Sequence, residues 1–131
     1  MVGGYAVAFH GHPRATKDLD VWIEASPENA PLALRALAAF GAPVDDLTIS
    51  DLMTPSTVFQ MGVPPRRIDV VCGVSGRDFA SAWDRHEVLE LDDLRVPVIS
   101  LEDLIANKRA SGRLQDLADV EALLDLQAHK R

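Results

Sequence analysis

Apolar residues recur along the chain with two different periods, and each change of period marks an element boundary. Residues 17–24 alternate: Leu19 and Val21 fall on one side, Asp18 and Asp20 on the other, and the β-favouring run Val21-Trp22-Ile23 follows. Residues 57–62 and 67–73 read as two further strands joined through Pro64 and Pro65. In the second, Ile68, Val70 and Cys72 share one face, and Arg67, Asp69 and Val71 share the other. Residues 86–92 and 94–99 predict a hairpin turning at Asp92-Asp93, with Pro97 marking its second strand as an edge. Helical spacing takes over elsewhere. Ser26 as N-cap and Pro27 in the first turn open a helix to Phe40, with Leu32, Leu34, Leu37, Ala38 and Phe40 as its apolar face and Gly41 as its stop. Residues 75–83 predict a short helix, and residues 47–53 a helical turn or two. Ser100 and Asp103 form a variant capping box for a helix that turns Leu101, Leu104 and Ile105 inward, reaches Lys108 and Arg109, and breaks at Gly112. A last helix over 114–128 carries Leu117, Val120, Leu123 and Leu124. Near the start, residues 2–11 read as a strand end, a glycine turn and a short helix closed by Gly11, followed by a loop around Pro13. The whole is an α+β chain, one domain over residues 1–131, ending in a helical pair over about 100–128.

The opening is abrupt. Only Met1 and Val2 precede the glycines, whereas strands usually run about five residues. The pattern therefore predicts native residues before Met1, a strand and a helix. It also predicts an unpaired edge or apolar groove in their absence, for which homodimerisation is one remedy.

Composition narrows the class. A chain of 131 residues, 47% hydrophobic and 25% charged, suits one ordinary globular domain. The net charge of −7 argues against broad, non-specific nucleic-acid binding, though not against a local basic groove. A single cysteine, Cys72, excludes an intramolecular disulfide framework and a cysteine-based zinc site. No uncharged run reaches the roughly 18–20 residues of a membrane span, and no signal peptide is visible, so a cytoplasmic location is expected.

The candidate chemistry gathers at Asp18 and Asp20. Side chains at i and i+2 of a strand project together, and two such carboxylates repel unless a cation lies between them. A hard divalent ion with its preference for oxygen ligands resolves that conflict. Asp69, an acid alternating into an apolar strand, is the third candidate. Gly3 and Gly4 let backbone approach a ligand closely, and a helix start there aims free N–H groups outward, a combination that can cradle phosphate. Arg14 and Thr16 either fix the acidic strand or touch phosphate. Lys108, Arg109 and Arg113 either neutralise phosphate or complement a helix C-terminus. His10 and His12 flank Gly11 as metal ligands or as a solvated loop. Asp116 and Asp119 read as helix-face acids, facing solvent or paired with Arg113.

Gly3-Gly4, then Arg14, Thr16, Asp18 and Asp20 with 13 residues between Gly4 and Asp18, and then Arg67-Ile68-Asp69 resemble the nucleotidyltransferase superfamily with the DNA polymerase β-like core. Within it, the chain is most similar to small bacterial stand-alone enzymes, related to the minimal and abortive-infection toxin-type nucleotidyltransferases. The tail from Val96 to Asp119, with Lys108, Arg113 and Asp116, is similar to the same group. The resemblance runs from Gly3 to about Leu124.

It implies a mixed β-sheet flanked by helices, and two Mg²⁺ ions, or Mn²⁺, held by three carboxylates. Asp18, Asp20 and Asp69 would be the metal ligands, with Asp69 also activating the acceptor hydroxyl. Gly3 and Gly4 would hold the triphosphate of ATP or another nucleoside triphosphate, and Arg14, Thr16, Lys108 and Arg113 would complete the nucleotide site. Tyr5 stands where the family often has Ser or Thr, leaving that grip to backbone N–H groups. The implied reaction moves a nucleoside monophosphate to an acceptor hydroxyl on RNA, a protein or a small molecule. In two-metal sites of this kind the ions lie about 3.5–4 Å apart and stabilise attacking and leaving oxygens together. The alternative is a catalytically inactive binding module of a toxin–antitoxin-like pair, with a protein partner.

Overall fold

The computed structural model describes residues 1–16 and 18–129; Lys17, the expected first residue of the acidic strand, lies outside them. The elements follow in the order α1 (Gly3–Phe9), β1 (Asp18–Trp22), α2 (Ala30–Phe40), α3 (Ile49–Leu52), β2 (Val58–Met61), β3 (Arg67–Val71), α4 (Phe79–Asp84), β4 (Glu87–Leu91), β5 (Leu94–Val98), α5 (Leu101–Ser111) and α6 (Leu114–His129). The fold is mixed α+β and closes with a helical pair, as the pattern predicts.

One sheet has the order β1-β3-β2, and β4 with β5 forms a second, two-stranded sheet. β3 is the central strand, parallel to β1 and antiparallel to β2. Parallel pairing of β1 and β3 sets Asp18 opposite Arg67, Leu19 opposite Ile68 and Asp20 opposite Asp69. Period-two alternation then sorts the sheet's two faces. Leu19, Val21, Ile68 and Val70 line a cleft under α2 with Leu37 and Phe40. The acids occupy the other face, where Trp22 and Val71 carry it into the main core of Val7, Val98, Leu104, Val120 and Leu123. A smaller cluster of Ala30, Leu52 and Cys72 holds α2 and α3 to the far side.

Met1 and Val2 join the two sheets. Val2 N–H donates to Asp20 O at 3.0 Å on the outer edge of β1. Ile99 N–H donates to Met1 O at 3.0 Å, and the Met1 amine donates to Pro97 O at 2.8 Å. Pro97 has no N–H, yet its carbonyl is the group this edge requires, so the proline is accommodated at the edge. Beside this link lies an apolar groove of ≈ 860 Å³, walled by α1, α4 and the hairpin through Tyr5, Phe9, Phe79, Trp83 and Leu89.

Two boundaries differ from the sequence expectation. α2 begins at Ala30, because Pro31 has no N–H to bond back to Pro27 and the first turn stays irregular. Ser26, expected as its N-cap, caps that preceding turn instead: its Oγ accepts from Asn29 N–H at 3.1 Å, and Asn29 is the N-cap of the helix. On that helix Leu32 and Phe40, expected on the inward face, are 55% and 69% exposed. The expected helix over 75–83 starts only at Phe79, since Gly76 takes φ 80° and Asp78, not Ser75, is the N-cap. The helical turn expected within residues 47–53 is α3, fixed by a full capping box between Thr48 and Asp51.

Candidate functional site

The strand register does what the alternation requires: Asp18 and Asp20 on β1 and Asp69 on β3 stand on one face, with Asp20 and Asp69 directly opposed. Asp69 is buried. Two carboxylate oxygens, Asp18 Oδ1 and Asp69 Oδ1, are buried with no hydrogen-bond partner among the described residues. Such orphaned acceptors are unfavourable unless something completes them. The Asp20 carboxyl is pushed up to about 6, first by burial and then by the negative charges of Asp69 and Asp18. Lys108 and Arg67 pull it back only in part.

The cation in this pocket is Arg67, which sequence reasoning placed on the correct face but gave no role. Its Nη2 donates to Asp18 Oδ2 at 2.7 Å, and its Nε approaches Asp69 Oδ1 at 3.1 Å. The second contact is close but misaligned, because both atoms still count as lacking a hydrogen-bond partner. We read it as Coulombic attraction alone. The available signal was the alternation of β3, which puts Arg67 on the face of Asp69; the register that sets it opposite Asp18 comes from the fold.

Gly3 and Gly4 lie against this pocket. Gly3 has φ 69°, and a Cβ there would come within 2.1 Å of Asp20 Oδ2. A Cβ on Gly4 would meet Thr16 Oγ1 at 2.6 Å. Both glycines are therefore required by the approach of α1 to the acidic strand. Thr16 Oγ1 donates to Asp18 O at 3.3 Å and fixes the strand's entry.

The expected phosphate-binding cations are engaged by two buried acids of α6, Asp116 and Asp119. Lys108 is 5% exposed, with its ammonium 3.2 Å from Asp116 and 3.0 Å from Asp119. Arg14 places Nε and Nη2 on the two oxygens of Asp119, at 2.9 and 3.0 Å. Arg113 donates from Nε to Asp116 at 2.7 Å, while its side chain remains 79% exposed and within the field of Asp20. Burial acts to raise the Asp116 and Asp119 carboxyls, but their hydrogen bonds to these cations prevail and hold both below the usual range. Asp116 is paired with Arg113, as one of its two expected readings has it. Neither acid faces solvent: they fall at the positions that continue the buried stripe of Val120 and Leu123, an i, i+3, i+4, i+7 series. His10 is no solvated loop residue either. Its Nε2 lies 2.8 Å from Ile99 O, and its Nδ1 is 3.7 Å from Glu87.

The donor set suits a hard divalent cation: three carboxylates, two of them with orphaned oxygens, and a third whose ionisation is opposed by burial and by the charges of the other two. With Arg67 between Asp18 and Asp69, no three ligating side chains converge on one open point among the described residues. No protein-family model matches this chain, and no curated protein does. Among the described residues, no helix is long and apolar enough to cross a membrane.

Proposed function

We propose that the protein is a divalent-metal-dependent nucleotidyltransferase, acting on a nucleoside triphosphate and an acceptor hydroxyl. The observation that carries this reading is the opposed pair Asp20 and Asp69, with Asp18 beside them on the same partly buried face. Three acids in that position are costly to a fold that has no use for their charge.

In the proposed reaction an acceptor oxygen bonds to the α-phosphorus, the bond from that phosphorus to the bridging oxygen breaks, and pyrophosphate leaves. Mg²⁺ or Mn²⁺, when bound, would neutralise the developing charge on the attacking and leaving oxygens. Asp18, Asp20 and Asp69 would hold it. Asp69 would also take the hydroxyl proton, directly or through water. Gly3 and Gly4 bring the start of α1 against Asp20 and Thr16, where its backbone would meet the triphosphate, and Arg113 is the exposed cation of the neighbouring ionic layer. Lys108 and Arg14 would act from behind, by fixing Asp116 and Asp119 and by contributing positive field.

The test is transfer from α-³²P-labelled ATP, CTP, GTP and UTP, with Mg²⁺, to total tRNA or to the protein itself. Asp18→Ala and Asp20→Ala are expected to abolish labelling while far-UV circular dichroism is unchanged. Labelling that survives in both variants defeats the reading.

One observation favours a second reading, an inactive binding module: a guanidinium already occupies the space between Asp18 and Asp69. That reading requires that Mg²⁺ and ATP together produce no heat of binding in calorimetry.

A further inference from the structure

We propose that Arg67 is a displaceable counter-ion, which holds the acidic pocket closed and competes with divalent cations for it. The proposal deepens the nucleotidyltransferase reading and rests on it.

Two arginines of this chain grip aspartates in contrasting ways. Arg14 sets a fork on one carboxylate, with Nε and Nη2 each meeting a different oxygen of Asp119 at 2.9 and 3.0 Å. That is the strong, bidentate geometry. Arg67 divides its fork between strands. One nitrogen is well placed on Asp18 at 2.7 Å, and Nη2 and Nε reach Asp69 at 3.5 Å and, out of line, at 3.1 Å. The grip is poorer, and its side chain is 30% exposed, so it can leave without opening the core.

The charges do not balance in the closed pocket. Three carboxylates face one guanidinium, and Asp20 makes no ion pair among the described residues. The orphaned oxygens Asp18 Oδ1 and Asp69 Oδ1 belong to the two acids that Arg67 spans. A divalent ion in place of the guanidinium would match the charge better and use oxygens that Arg67 leaves idle. The released guanidinium would then lie next to an incoming anionic phosphate, so metal and triphosphate should reinforce each other's binding through this one side chain.

The experiment is a Mn²⁺ titration, read by electron paramagnetic resonance, on the intact chain without nucleotide. Arg67→Met is expected to bind Mn²⁺ tighter on the order of tenfold, a typical coupling between linked sites. Arg66→Met removes an exposed neighbouring charge and is expected to leave Mn²⁺ affinity unchanged. Equal or weaker binding by Arg67→Met, or an equal gain in Arg66→Met, overturns the proposal. If neither wild type nor variant binds Mn²⁺ even with a non-hydrolysable triphosphate, the nucleotidyltransferase reading fails and this proposal falls with it. If wild type binds under those conditions and Arg67→Met gains nothing, only the role of Arg67 fails. Should Arg67→Met not fold, a Mg²⁺ titration of the wild type followed at the Arg67 Nε–H resonance decides. Displacement predicts a saturable shift, and an unmoved resonance contradicts it.

Discussion

Asp20 shows how a single residue can be read in a sequence and still hold a surprise. Its direction was legible, because a strand repeats every second residue and Asp18, Asp20 and Asp69 all alternate against Leu19, Val21, Ile68 and Val70. Its electrostatics were not, because burial and the facing Asp69 come from the parallel register, which no local pattern specifies. The raised carboxyl makes a signed claim about stability. Unfolded, Asp20 titrates near its ordinary 3.8; folded, near about 6. The folded state therefore holds the extra proton between those values. Asp20's contribution is most favourable below 3.8, declines as pH rises through that window, and stays diminished above about 6. Asp20→Asn should thus have a higher melting temperature than wild type at pH 7.5 in EDTA, and the difference should vanish towards pH 4. Thermal melts across pH 4–7.5 check this, with only the difference between the two proteins read, so that groups far from Asp20 cancel. Arg67 was the residue missed here. It was placed on the right face but treated as a strand residue like any other, when its register with Asp18 made it the pocket's own cation.

At the scale of elements, α5 and α6 show a pattern read correctly and populated wrongly. The helices and their break at Gly112 follow from capping chemistry and apolar spacing. The inward stripes, however, are not wholly apolar. Leu101, Leu104, Ile105 and Lys108 form one i, i+3, i+4, i+7 series, and Asp116, Asp119, Val120 and Leu123 form the facing one. Charged residues on a buried stripe point to a paired network, and that clue outweighs the reading of exposed helix ends. Leu117 and Leu124, expected inside, lie on the solvent side of α6 instead. The network has a measurable consequence. Lys108→Met leaves Asp116 and Asp119 buried with one cation fewer, and breaking one partner out of a buried ion pair costs about 3–5 kcal/mol. Urea denaturation should show a loss of that size. A loss below about 1 kcal/mol, the range of exposed pairs, would mean that Lys108 contributes little to holding α5 against α6. Asp103 repeats the design at the other end of α5, where Arg77, Arg85 and Ser100 converge on one buried carboxylate.

For the whole molecule, the α+β class, the hairpin register Leu91↔Leu94 and the closing helical pair were all legible, because each depends on local periodicity and capping. What local patterns could not supply was the join between sheets. Met1 and Val2 are too few to register as a strand, yet they bridge β1 and β5 through backbone hydrogen bonds. The result is a single frame that presents the acid trio at the N-terminal end of α1, beside a buried ionic layer from α5 and α6.

The central claim is that Asp18, Asp20 and Asp69 act together as one cation site. The most direct measurement is Mn²⁺ binding in the presence of a non-hydrolysable nucleoside triphosphate, for wild type and for Asp69→Asn, whose amide keeps the shape and removes the charge. The account predicts binding in the wild type and a loss in Asp69→Asn of more than about tenfold, the lower end of what even outer-sphere changes do to metal sites. Equal affinity in the two proteins would contradict it.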